Sequence, residues 1–394
     1  MRIKSEFALK KPKFPALFRI GLELNYQQII MLIWTFYSSA CALFWVSNLK
    51  RSYSVEPLMK LCDYMTAGLL AGALLLKQRY KIKKMMLYGS FMLITVIVES
   101  VAINRDFAVL SMFMLCFVSI DYHKFILYDI KLKIFWLVMI LLMWKVGIVR
   151  NFADYFNGIF KQSLGFQHPN TFAMFSLVIL LEWLYLRYEK AKLPELLLIP
   201  AFWYVIMKIS PSRTTGYTFL FIYALFLVAK YLPKVYSWKP VIWLMVAVGP
   251  IIGIFSVKIT QMYIQHDKLA YKINEIMTNR IDFQAQYWQA YPVKLFGGKI
   301  DTENSVDVIL DSGYIRCILT YGIILSVVLC LLFSVLIYYA LINHQIGIAL
   351  MAVFFLMMGF AETAMLRLIM NITFLAVFNQ QCIQKRWILP KLRL

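Results

Sequence analysis

A run of about 20 apolar residues can cross the roughly 30 Å hydrocarbon core of a bilayer as one helix, and this chain is built almost wholly of such runs joined by short charged connections. Hydropathy draws about twelve of them, over residues 28–49, 58–76, 85–103, 107–120, 132–149, 170–186, 194–209, 214–232, 240–257, 313–341, 345–361 and 366–380. The fourth is short for a span and the tenth is long. With 61% hydrophobic and 15% charged residues over 394 positions, the chain exceeds the apolar share of about 45–50% found in soluble domains, so the surplus has to face lipid. The expected fold is an all-α polytopic membrane protein of about twelve transmembrane helices. Residues 1–27 read as a cytoplasmic interfacial arm, 28–257 as nine helices, 258–310 as a large extracytoplasmic loop, 311–381 as three helices and 382–394 as a cytoplasmic tail.

Basic residues set an expected orientation. With the N-terminus inside, the inner connections carry Lys77, Arg79, Lys81, Lys83 and Lys84, then Lys124, Lys131 and Lys133, then Arg187, Lys190 and Lys192. Lys230, Lys234 and Lys239 follow, and finally Lys385, Arg386, Lys391 and Arg393. With the arm included, roughly 24 of 41 basic residues fall inside, as the positive-inside rule requires. Removing the fourth span would move four of these clusters outside. The net charge of +21 therefore reads as attraction to anionic headgroups, not to nucleic acid. The first apolar run is too long for a cleavable signal and lacks a small-residue cleavage site, so it is expected to remain as a span. The cysteines, Cys41, Cys62, Cys116, Cys317, Cys330 and Cys382, have no metal or redox spacing and read as packing residues.

Two outer connections are long, Arg150 to Pro169 and Lys258 to Leu310, and long loops without a structural need are where function concentrates. Within the second, Ile276 to Tyr291 reads as an amphipathic helix capped by Thr278 or Asn279, with Phe283, Tyr287 and Trp288 on one face and Pro292 and Gly297-Gly298 ending it.

Charge at the rim of a membrane protein is costly, so its position is informative. On this topology Arg150, His168, Arg213, Arg280, Asp311, Glu362 and Arg367 all fall at the outer face. Arg150 and Arg367 could equally snorkel to headgroups, His168 could be a plain loop residue before a helix start, and Glu362 could pair with Arg367. Arg213 sits in a tight turn between two apolar runs, where one fixed charge serves poorly as padding. Asp301 and Glu303 have an Asp-x-Glu spacing, but two acids in a polar loop are commonplace, and neither a metal nor another cofactor is expected. Lys145 and Glu182 are the main charges inside runs and Pro250 the clearest central breaker, which is meagre for a translocation path.

Taken in order, these residues fall into short motifs. Gly165-Phe166-Gln167-His168-Pro169-Asn170-Thr171 resembles the Gly-x-Gly-His-Pro-Asn signature of polysaccharide repeat-unit polymerases from Gram-positive bacteria, with Gln167 in place of the second glycine. Ser212-Arg213-Thr214 is similar to the family's Ser-Arg-Thr turn. Asn279-Arg280-Ile281 with Trp288 and Phe296-Gly297 is similar to its Gly-Arg-x…Trp…Phe-Gly segment, with Asn279 where glycine is usual. Leu310-Asp311-Ser312-Gly313-Tyr314 and Tyr321-Gly322-Ile323 resemble the Asp-Asn-x-Tyr…Gly-Ile helix entry, and Gly359-Phe360-Ala361-Glu362 with Asn371 the late Glu…Asn segment. The motifs together resemble the broad group of O-antigen polymerases and ligases, whose members share a GT-C-like membrane glycosyltransferase core.

The resemblance implies a metal-independent enzyme of the cytoplasmic membrane that transfers oligosaccharide from undecaprenyl pyrophosphate to a lipid-linked acceptor at the outer face, in capsule, exopolysaccharide or O-antigen synthesis. Implied partners are that donor and acceptor, membrane lipids, and the chain-length regulator and flippase of the same pathway. A departing diphosphate needs a metal or arginines, which makes Arg213 and Arg280 the candidates. A carboxylate or neutral imidazole suits the acceptor proton, so Asp311 and His168 are the choices for base; the resemblance puts Asp311 in that position and leaves His168 to orient substrate. Arg150, Asn170, Tyr314, Glu362 and Arg367 are expected to bind substrate. The competing readings are a flippase for the same lipid-linked sugars and a ligase of the same group.

Overall fold

The structure is a computed structural model of the chain and describes residues 25–76, 82–102, 106–156, 159–300 and 310–383. The arm up to residue 24, the tail beyond residue 383, and Asp301 and Glu303 lie outside the described residues.

The first helix, α1 (Tyr26–Cys41), starts at a capping box in which Asn25 accepts from the Gln28 N–H at 2.9 Å and Gln28 accepts from the Asn25 N–H at 2.8 Å. It continues through a π-helical turn, Ala42–Val46. Then come α2 (Leu49–Ser52), α3 (Glu56–Leu76), α4 (Ile82–Ala102), α5 (Asp106–Cys116) and α6 (Tyr122–Lys145). A hairpin of β1 (Ala153–Phe156) and β2 (Ile159–Gln162) follows, antiparallel with Ala153 opposite Gln162. The second half comprises α7 (Pro169–Arg187), α8 (Leu193–Ile209), α9 (Arg213–Tyr231), α10 (Lys239–Ile264), α11 (Lys268–Ile276), α12 (Arg280–Ala290), α13 (Gly313–Arg316), α14 (Gly322–Ile342), α15 (Ile346–Met358) and α16 (Gln380–Ile383).

Six helices among the described residues are long and apolar enough to cross a membrane: Tyr26–Val46, Glu56–Leu76, Pro169–Arg187, Arg213–Tyr231, Lys239–Ile264 and Gly313–Ile342. Met86–Ala102, Phe107–Ser119 and Ile346–Met358 are apolar but shorter. This is an all-α membrane protein by length and composition. At its centre α15, apolar all round, is buried along nearly its whole length against α7, α9, α10 and α14.

Several expected boundaries move. The fourth run gives an 11-residue helix with a 3-10 turn, Phe117–Ser119, which at 1.5 Å per residue is too short to span alone. The twelfth run, 366–380, is no spanning helix. It travels from the Glu362 end of the bundle to the Gln345 end as buried chain with 3-10 turns at Thr363–Leu366 and Ile372–Ala376. Irregular backbone at membrane depth needs partners from protein, and buried polar side chains supply them. Asn371 donates to the Met365 carbonyl at 2.8 Å, Asn379 to those of Phe117 and Ile120 at 2.7 and 2.9 Å, and the Tyr122 hydroxyl to that of Ile372 at 3.1 Å. The long loop begins after Ile264, not at Lys258, because α10 runs on. The expected helix over Ile276 to Tyr291 is α12, with Asn279 at its N-cap position; a further helix, α11, precedes it and ends at Ile276, separated from it where Thr278 and Asn279 take left-handed φ of 54° and 65°. Lys133, expected in an inner connection, is wholly buried within α6.

The departures from the family motifs have local explanations. Asn is the side chain that best tolerates the left-handed conformation after glycine, so Asn279 serves where the resemblance expects glycine. At Gln167 the backbone is not left-handed, and its N–H bonds the Val46 carbonyl at 2.9 Å; Gly165, with φ of 86°, makes the turn. Gly297 and Gly322, with φ of 75° and 86°, let two motif segments cross backbone to backbone. The Gly298 N–H reaches the Thr320 carbonyl at 3.2 Å and the Ile323 N–H that of Lys294 at 3.1 Å, so the loop seats on the π-helical turn Cys317–Tyr321 that leads into α14.

Candidate functional site

Three loop ends converge on Arg280. Asn274 of α11 holds the start of α12, its Oδ1 accepting from the Ile281 and Asp282 N–H groups at 3.0 Å each; this is an N-cap supplied from the preceding helix, since Asn279 makes no side-chain cap. Asp311 stands just before α13, whose N-cap Ser312 accepts from the Ile315 N–H at 3.3 Å. The Gly313 N–H donates to the Gly359 carbonyl at 2.8 Å, tying α13 to the end of α15, and the Glu362 N–H closes back on Met358 at 2.9 Å. Arg280 as a result lies 2.9 Å from Glu362 and 3.6 Å from Asp311 and donates to the Ala361 carbonyl.

Around this ion-pair group stand Asn170, Lys161 and His168. Asn170 donates to Glu362 at 3.3 Å. His168 caps α7, its Nδ1 accepting from the Asn170 N–H at 3.1 Å, and its ring stacks on Phe152 with centroids 6.1 Å apart. An Nδ1 that accepts leaves the proton of the neutral ring on Nε2. Lys161 of β2 is half-buried, and its ammonium is destabilised by burial and then by the charges of Arg280 and Arg213, against the attraction of Glu362, so its pKa is lowered. Burial, helped by Glu362 and opposed by Arg280 and Arg316, pushes Asp311 up to about 6. Among the described residues, Arg280 pairs with Asp311 and Glu362, Arg316 acts on Asp311, and Arg213 acts on Lys161, so cations outnumber the two carboxylates of the group.

The remaining expected residues divide. Arg213 is the exposed first residue of α9, near enough for its charge to act on Lys161. Tyr314 abuts the group, yet its hydroxyl donates to the Leu356 carbonyl at 3.0 Å and its ring is buried. Arg367 is elsewhere. Its guanidinium lies 3.5 Å over the Trp45 ring, while Glu362 pairs with Arg280, so the expected Glu362–Arg367 pair is replaced by a cation–π contact. Arg150 is exposed, and its carbonyl accepts from Asn48 at 2.9 Å. Lys161 was missed from sequence, and it was legible only as a basic residue in a long outer connection.

Beside the group is a cavity of about 650 Å³ between α10 and α14, with Tyr314, Gly253, Val257, Val327 and Leu331 among its walls and Lys258 and Gln261 toward the α11 end. Tyr314, three residues from Asp311, is the wall between charge and apolar space. No family model, no curated protein and no solved structure matches this chain.

Proposed function

We propose that this chain is a polysaccharide polymerase that moves an oligosaccharide repeat unit from undecaprenyl diphosphate to a hydroxyl of a second lipid-linked chain at the outer face of the cytoplasmic membrane. The observation that carries the reading is an ion-pair group beside an apolar cavity in the chain, Tyr314 of the cavity wall standing three residues from Asp311. A polyprenyl diphosphate has just those two parts. The acceptor oxygen attacks the anomeric carbon, the carbon–oxygen bond to the diphosphate breaks, and the diphosphate leaves with the electron pair. Arg280, Arg213 and Lys161 meet the charge that develops on it. Asp311 takes the hydroxyl proton, and a carboxyl with a pKa of about 6 is well matched to that work. His168, with Nε2 carrying the proton, is suited to donate to a phosphate or sugar oxygen, which favours Asp311 as base. The outer-face orientation, with both termini inside, and the GT-C-like core belong to the same proposal, as do the chain-length regulator and flippase as pathway partners.

Purified protein given one lipid-linked repeat unit is expected to yield a ladder of glycan lengths. Asp311→Asn, Arg213→Lys and Arg280→Lys are expected to lose the ladder while inserting normally, because lysine keeps charge but not the planar fork. Movement of substrate across vesicles without growth would establish a flippase. Transfer to a different acceptor without growth would establish a ligase.

A further inference from the structure

A second charge group lies inside the bundle. Lys133 Nζ is 2.6 Å from Asp129 Oδ2 and also bonds Glu182, and Trp34 of α1 donates to Asp129 Oδ1 at 2.7 Å. The three charged side chains are 0–1% exposed. Two carboxylates and one ammonium carry one negative charge in excess, and an uncompensated ion is strongly disfavoured at such depth.

Among the described residues, no element packed on α6 and α7 places a second cation against the cluster. Among titratable neighbours, Tyr122, Tyr185 and Cys382 are neutral acids. Of the helices packed on α6 and α7, α15 has no titratable side chain and α1 offers only tyrosines and Cys41. α8 has Glu195 and Lys208 toward its ends and Tyr204 between, and α9 has Arg213 and Lys230 toward its ends with Tyr217, Tyr223 and Tyr231. Both carboxyl groups reach the same Lys133 ammonium, and Glu182 Oε2 is buried without a donor. One proton on this pair of acids balances the charge of the cluster and supplies the donor that Glu182 Oε2 lacks.

We propose that Asp129, Lys133 and Glu182 form a membrane-buried site for one proton, shared between the two carboxyl groups, which makes the cluster neutral and fastens α6 to α7. The site stands whatever reaction the outer end performs.

Infrared spectroscopy of the purified protein in lipid nanodiscs tests it. At about pH 8 ordinary exposed carboxyls are ionised, and so is Asp311 with its pKa of about 6. The wild type is expected to show the carbonyl band of a protonated carboxylic acid that shifts in D2O, and Glu182→Gln is expected to lose it. Glu182→Gln should also keep the wild-type melting temperature, because its carbonyl accepts from Lys133 and its NH2 replaces the O–H donor to Asp129. Absence of the band in wild type overturns the proposal, with no variant needed. So does a band unchanged in both Glu182→Gln and Asp129→Asn, or a missing band with a sodium-dependent melting temperature, which would mean that a bound cation replaces the proton.

Discussion

The two charge groups of this molecule share a plan, one basic side chain between two carboxyls, and differ in access and sign. At the end of the bundle Arg280 pairs with Asp311 and Glu362, whose side chains retain 31% and 13% exposure, and further cations crowd around. Deep in the bundle Lys133 pairs with Asp129 and Glu182 at 0–1% exposure, and the acids are in excess. Tyr314, three residues from Asp311, is in the wall of the cavity between α10 and α14, and no charged side chain of either group lines it. What the difference teaches is that the same ingredients stand partly open to the surface at one end of the bundle and wholly enclosed within it.

The largest effect is expected from breaking the buried group. Lys133→Met leaves two acids without a cation, and removing one partner of a buried pair costs about 3–5 kcal/mol. The yield of folded protein and its melting temperature in detergent should both collapse, and Lys133→Met/Asp129→Asn/Glu182→Gln should recover most of the loss. If Lys133→Met alone melts like wild type, the fastening role is wrong. At the other group Arg280→Lys should leave melting nearly unchanged but lower polymer formation about 10²–10³-fold, the range for loss of one preorganised donor, read as single-turnover transfer.

Acidity should separate the groups further. Asp311 must be ionised to take a proton, so transfer should fall about tenfold per unit below pH ~6, the value set by its raised pKa. Stability runs the opposite way for this residue. A folded pKa above the unfolded one means that the folded state binds the proton more tightly, so Asp311 weakens the fold above pH ~6 and that penalty is relieved as the pH falls toward the ordinary carboxyl value near 4. A pH–rate profile without this limb would remove Asp311 as the base. The smallest effect is expected at Lys161→Ala, a several-fold fall in kcat and kcat/KM together, since the hairpin adds a cation to charge already met by Arg280 and Arg213.

Much of the fold was legible in the apolar runs, because a helix in lipid must be both continuous and apolar. The runs failed where protein, not lipid, surrounds the chain. Residues 366–380 are apolar like a span, yet Asn371 and Asn379 inside them satisfy irregular backbone, Asn371 also accepting from the Thr373 N–H. Lys133 looked like a loop cation because its partners lie one turn back, at Asp129, and across a helix interface, at Glu182. At the candidate site Arg280, Asp311 and Glu362 were visible as single residues in short motifs. Their mutual contact was not, and a pair with Arg367 was only one of the readings open for Glu362.

By itself the sequence determined that this chain is a helical membrane protein and that its basic residues are concentrated in the connections between apolar runs, because hydropathy and length are local properties that no packing can undo. It also marked out the residues able to do chemistry. Only the tertiary structure decided which of them meet. Arg280, Asp311, Glu362, Asn170 and Lys161 come from five separate segments, and Asp129, Lys133 and Glu182 from two helices. The energy of a charge at membrane depth depends on neighbours and burial, which are properties of the assembled bundle and not of any stretch of the chain.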